Sequence, residues 1–128
     1  MSIGVRYIVN DVDAAIQFYS GLLGFTEEMH PAPTFAALSR GDLRLFLSAP
    51  GAGPGGGGQA MPDGTLPQPG GWNRFQLQVD DLEALVRSLR DQGARFRSDI
   101  ISGVAGKQIL LEDPSGNPIE LFEFHRDS

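Results

Sequence analysis

The sequence predicts an α+β fold, two βαβββ modules forming a partial barrel around a shared cleft. Three observations lead there. Two amphipathic helical patterns, each opened by Asp and closed by Gly, lie about 70 residues apart. One strand-like run precedes each pattern and three follow it. A stretch dense in Gly and Pro separates the two sets.

Residues 4–9 are short and rich in Val, Ile and Tyr, as a strand requires. Asp11 then stands at a helix N-cap. Val12, Ala15, Ile16 and Tyr19 follow at the i, i+3, i+4, i+7 spacing of a helix buried on one face. Leu22 and Leu23 extend it, and Gly24 stops it. The same pattern returns in the second half. Residues 72–79 alternate, with Phe75, Leu77 and Val79 expected toward a helix and Arg74, Gln76 and Gln78 toward the cleft. Asp81 is the cap. Leu82, Leu85, Val86 and Leu89 each lie 70 positions beyond their first-half counterparts. Gly93 is the stop. Agreement of cap, apolar stripe and stop together reads as an internal duplication.

After the first helix, strands are expected at residues 25–30, 34–39 and 43–48. After the second they are expected at 95–101, 107–112 and 118–124. Arg40-Gly41-Asp42 and Asp113-Pro114-Ser115-Gly116-Asn117 supply turn chemistry before the last strand of each half. Gly41 and Gly116 hold matching places, which aligns Glu120 with Leu45. The expected organisation is one domain over 1–128. Module one spans 1–50, a flexible Gly/Pro-rich connector 51–71, and module two 72–128. The connector reads either as a plain linker or as a flap over the cleft. Its glycines open no helix and lack the Lys-Ser/Thr ending of a phosphate loop.

Bulk properties narrow the partners. The chain has 128 residues, a formal net charge of −6 and no cysteine. Disulfides, thiolate metal sites and cysteine nucleophiles are therefore excluded. Net negative charge disfavours nucleic acid. No apolar run approaches the ~20 residues of a membrane helix, so no membrane partner is expected. The opening MSIGVRYIV lacks a signal-peptide pattern, and the expected compartment is the cytoplasm.

VRYIVNDVDAAIQFYSGLLGF, VDDLEALVRSLRDQGARF and LLEDPSGNPIELFE together resemble the vicinal-oxygen-chelate superfamily. That group covers glyoxalase I, extradiol dioxygenases, fosfomycin-resistance transferases and bleomycin-resistance proteins. The resemblance covers nearly the whole chain except 50–71, and it implies a homodimer. It also implies, in metal-dependent members, a divalent ion held by His and Glu on cleft strands. The late carboxylate of that set falls on Glu120. The second-half histidine falls on Arg74, and the first-half one near Gly4 to Arg6, where there is no histidine. Arginine stays protonated and cannot ligate a metal. A member lacking the usual metal-ligand histidines is therefore expected, with no cofactor and no metal ligands.

The expected function is a small-molecule-binding protein of the glyoxalase/bleomycin-resistance type, without a catalytic metal. Its expected ligand-binding residues are Arg6, Trp72, Arg74, Gln76, Glu120 and Phe122. Arg74 is expected to pair with Glu120 where relatives hold the ion. Trp72 has two open readings, a stacking surface for ligand or a hydrophobic plug. Catalytic residues are unassigned. The alternative is a divalent-metal-dependent lyase, isomerase or dioxygenase with displaced ligands, which needs His30 or His125 to reach Glu120. A third reading is a structural dimer with an inert cleft.

Overall fold

The computed structural model describes residues 3–51 and 57–125. Residues 52–56 of the expected connector lie outside them. The described residues form β1 (Ile3–Ile8), α1 (Val12–Leu23), β2 (Thr26–Ala32), β3 (Phe35–Arg40) and β4 (Leu43–Ser48). They continue with β5 (Gln76–Gln78), α2 (Leu82–Asp91), β6 (Arg95–Phe96), β7 (Ile101–Ser102), β8 (Gly106–Glu112) and β9 (Pro118–Phe124). The fold class is α+β, as the sequence predicts. The chain divides into two compact units. One runs to Gly70 and includes Pro114–Asn117; the other holds Gly71–Asp113 and the chain from Pro118 on.

The first unit carries a sheet ordered β1-β4-β3-β2, with β1 and β4 parallel. Asp11 caps α1, its Oδ1 accepting from the Ala14 N–H at 3.0 Å. Gly24 ends the helix at φ 74°, a conformation that costs glycine nothing. The buried stripe of α1 is Val12, Ala15, Phe18, Tyr19 and Leu23. It packs with Leu38, Leu45 and Leu47, all fully buried. Alternation along each strand turns Gly4, Arg6, Arg44, Phe46 and Ser48 to the opposite face. The turn Pro114–Asn117 belongs to this unit. Asn117 donates from Nδ2 to the Ile8 carbonyl at 2.7 Å and accepts from the Gly70 N–H. Ser115 Oγ accepts from the Asn10 N–H at 2.9 Å.

The second unit carries a sheet ordered β5-β9-β8-β6, with β7 also on β8. Asp81 caps α2 through the Ala84 N–H at 3.0 Å. The helix closes with Gly93 donating to the Arg90 carbonyl and Ala94 to the Leu89 carbonyl, a Schellman arrangement. Leu82, Val86 and Leu89 bury against the face formed by Leu77, Ile109, Leu111, Ile119 and Leu121. Glu120, Phe122, Gln76, Gln78, Gln108 and Leu110 alternate onto the other face.

Four expectations change. The strand at 72–79 shrinks to Gln76–Gln78. The parallel ladder begins with the Glu120 N–H donating to the Phe75 carbonyl; one step earlier the donor would be Pro118, which has no N–H. The strand at 95–101 breaks into β6 and β7. Ser98 bonds locally to the Asp99 carbonyl, and Asp99 pairs with Arg90 of α2 at 3.1 Å. The segment at 25–30 runs on as β2 through His30 and Pro31. Its edge position and two register shifts accommodate the proline.

The fourth change is a register correction. Val9 donates to the Ser48 carbonyl and Val79 to the Phe122 carbonyl. Arg6 pairs with Phe46, and Gln76 with Glu120. The first-half counterpart of Glu120 is therefore Phe46, not Leu45. The turn before β9 differs in length from the turn before β4, so aligning their glycines misplaces the strands by one.

Candidate functional site

The side chains meet on the second sheet, on the face turned away from α2. Glu120 projects from the middle of β9 and is only 8% exposed. Its Oε1 accepts from Arg74 Nε at 3.1 Å and Nη2 at 2.9 Å. Its Oε2 accepts from Gln76 Nε2 at 2.6 Å. With the Gln108 amide oriented to face it, Gln108 Nε2 lies 3.2 Å from both oxygens. Three side chains, two from the chain entering β5 and one from β8, thus converge on one carboxylate. A carboxylate offers about four lone-pair directions, and these donors occupy them. The Arg74 charge offsets that of Glu120, which makes the burial tolerable.

The network continues outward. Arg74 Nη1 donates to the Trp72 carbonyl at 3.2 Å. The Trp72 ring, 70% exposed, lies 4.7 Å from the Arg97 guanidinium carbon. Arg97 in turn pairs with Glu112 at 2.9 Å and donates to the Gly71 carbonyl at 2.9 Å. So two arginines, each neutralised by a strand carboxylate, hold both the backbone and the ring of Trp72. Phe122 sits beside Glu120 on the same strand face, its ring edge-to-face with Phe124 at 4.7 Å. Phe122 and Gln108 also line a cavity of about 250 Å³, with Ile101, Gly103, Val104, Ala105 and Gly106.

Of the residues singled out in the sequence, Arg74, Gln76, Glu120, Phe122 and Trp72 share this face. Arg6 belongs to the first unit. There its Nη1 donates to the buried Ser48 hydroxyl at 2.8 Å, and its guanidinium lies over Phe46. The sequence offers Gln108, like Gln76 and Gln78, either as a donor to a ligand or as a strand residue satisfied by its neighbours, and here it faces Glu120. The Arg97–Glu112 pair did not stand out in the sequence. Alternation marks Gln108 and Glu112 as sharing a face of β8. Only the β8–β9 register, Leu110 opposite Glu120, brings that face to the carboxylate.

Neither histidine is among the partners of Glu120. His30 lies 3.6 Å from Asp13 and from Glu27, within the first unit. His125 has its ring Nε2 2.9 Å from the Gly103 carbonyl, past the end of β9. Among the described residues, no three His, Cys, Asp or Glu side chains cluster as a metal site would need. Among the same residues, no helix is long and apolar enough to cross a membrane.

A family model described as the Glyoxalase/Bleomycin resistance protein/Dioxygenase superfamily matches residues 4–121. Among curated proteins, none matches the chain significantly. Many solved structures share the fold. A lactoylglutathione lyase from Agrobacterium tumefaciens is 18% identical with a TM-score of 0.72, covering 96% of this chain and 92% of that one. A superfamily member from Sphaerobacter thermophilus is 22% identical, TM-score 0.73, covering 96% of each chain. An antibiotic binding protein from Streptomyces sp. CB03234 is 21% identical, TM-score 0.70, covering 98% of this chain and 96% of that one. At these identities the likeness speaks for the fold alone.

Proposed function

Because the chain belongs to the glyoxalase/bleomycin resistance protein/dioxygenase superfamily, we propose that it binds a small molecule and works without a catalytic metal. One observation carries this reading: the Glu120 carboxylate is already saturated by Arg74, Gln76 and Gln108. A divalent ion does not fit this donor set. It would need about three ligands with free lone pairs, and here one carboxylate faces a guanidinium and two amide nitrogens. The guanidinium supplies the positive charge that the family's ion would supply to the carboxylate.

The same bonds define what the surface offers a ligand. Gln76 commits one amide N–H to Glu120, which leaves it a second N–H and its amide oxygen. Trp72 offers an exposed indole held by Arg74 and Arg97. The cavity of about 250 Å³ beside Phe122 takes an apolar substituent rather than a whole drug-sized molecule. On this reading Trp72, Arg74, Gln76, Glu120 and Phe122 orient a ligand that carries donors and a flat apolar part; Arg6, the sixth residue of the expected set, stands on the sheet of the first unit. The antibiotic-binding relative is a precedent for binding on this fold. The reading also takes 1–128 as one domain that acts as a homodimer in the cytoplasm, which light scattering of the purified chain checks for its oligomeric part.

The deciding experiment is the metal content of tag-free protein, before and after incubation with manganese, nickel, zinc and iron(II). Stoichiometry near zero in every case is expected. One tightly held ion per chain would overturn the reading and put lyase and dioxygenase assays first.

A further inference from the structure

Trp72, the only tryptophan of the chain, is 70% exposed and yet held at two points. Arg74 Nη1 donates to its carbonyl at 3.2 Å. The Arg97 guanidinium carbon lies over its ring, 4.7 Å from the centroid. Arg97 is itself fixed, by Glu112 at 2.9 Å and by the Gly71 carbonyl at 2.9 Å. A guanidinium thus covers one face of the indole. Among the described residues no ring or second cation stacks on the other face. An aromatic ring already held in place loses little freedom when a ligand settles on it.

The charges around the ring decide what can stack there. Arg74 pairs with Glu120 and Arg97 with Glu112, each at 2.9 Å. Every cation that touches Trp72 therefore has its carboxylate. An ionic ligand of either sign would meet one member of each pair as a like charge. It would also lose hydration without gaining a vacant counter-charge. Hydrogen bonding points the same way. Gln76 bonds the same carboxylate as Arg74 and keeps a second N–H and its amide oxygen. Those two groups match a neutral function that both donates and accepts, such as an amide or a hydroxyl.

We propose that Trp72 is a one-sided platform for a neutral, flat aromatic ring, whose amide or hydroxyl group bonds the remaining amide groups of Gln76. Arg97 is the residue that positions the platform. This names a ligand class for the chain and rests on the reading that it binds small molecules. It excludes organic ions of both signs, although a net charge of −6 would by itself draw cations.

Titration calorimetry of the full chain with 2-naphthamide tests it, against 2-naphthoate, 2-naphthylmethylammonium and cyclohexanecarboxamide as anionic, cationic and non-aromatic counterparts. The naphthamide should bind about tenfold or more tighter than each, since ring and neutrality are both recognised. Its binding should quench the emission of Trp72, the sole tryptophan. Trp72→Ala, at an exposed position, should weaken it about tenfold without altering the circular dichroism spectrum. Arg97→Gln should weaken it about threefold and raise the quenching of Trp72 by acrylamide, because the second ring face opens. Equal binding of either ion or of cyclohexanecarboxamide would overturn the inference. So would naphthamide binding that leaves Trp72 emission unchanged or is indifferent to Trp72→Ala. Unchanged acrylamide quenching in Arg97→Gln would remove the role given to Arg97. A parallel thermal-shift screen of charged and non-aromatic compounds separates the two levels. Hits lost in Gln76→Ala, with naphthamide inert, sink this inference and leave the binding reading standing. No hit of any class sinks both.

Discussion

The two sheet faces descend from one repeated plan and solve the same position in opposite ways. In the second unit Glu120 stands opposite Gln76, and its charge is enclosed by Arg74, Gln76 and Gln108. In the first unit Phe46 stands at the equivalent place opposite Arg6, and its ring is flanked by Arg6 and Arg44. One face closes an ionic network upon itself. The other presents cations around an aromatic surface. The lesson concerns where strong interactions are spent. In the second unit ionic pairing fixes the geometry, whereas in the first unit the guanidinium groups lie against an aromatic ring and Arg6 also bonds the Ser48 hydroxyl.

That contrast can be broken most sharply at Arg74. Arg74→Ala leaves a nearly buried carboxylate with amide donors only. Urea unfolding should register a loss of about 2–3 kcal/mol, somewhat below a fully buried pair because the arginine side chain is 28% exposed. Adding Glu120→Gln should restore more than half of that, and failure to do so would mean the charge is not what matters. Next comes Phe46→Ala, expected to cost about 1.5–2 kcal/mol through lost packing of a half-buried ring. A cost as large as that of Arg74→Ala would make the first face as structurally committed as the second.

The caps should behave as twins. Asp11→Ala and Asp81→Ala each remove one N-cap bond of 3.0 Å and should each cost about 1 kcal/mol by the same assay. Clearly unequal losses would show that the duplicated helices no longer share one energetic role. The smallest effect lies at Lys107, whose pKa is raised above the usual 10.5, first by its hydrogen bond to Glu83. Its folded value exceeds its unfolded one. The stabilisation is therefore complete below pH 10.5 and fades as pH climbs through the folded value. Lys107→Gln should flatten the alkaline end of the stability profile. An unchanged slope there would exclude the pairing as its source.

Much of this was legible in the sequence. Caps, apolar stripes and stop glycines act locally, so both helices could be read residue by residue. The Arg74–Glu120 pair was legible too, since an arginine and a glutamate set inward on apolar strands need each other. Register was not. It depends on which backbone groups of distant strands meet, and the step from turn glycine to equivalent strand residue is five in one half (46 − 41) and four in the other (120 − 116), which misplaced Leu45 for Phe46. Gln108 was legible as a polar strand residue, but its pairing with Glu120 was not, for the same reason. Proline at 118 decided where β5 begins, but only once its partner strand was known.

The turn Pro114–Asn117 carries an implication for synthesis. Its bonds to Asn10 and Ile8 span 105 and 109 residues. A chain emerging from the ribosome can finish α1 and its strands early, yet the carbonyl of Ile8 waits for Asn117. The half that is translated first is thus completed almost last, and until then its open end is satisfied by water.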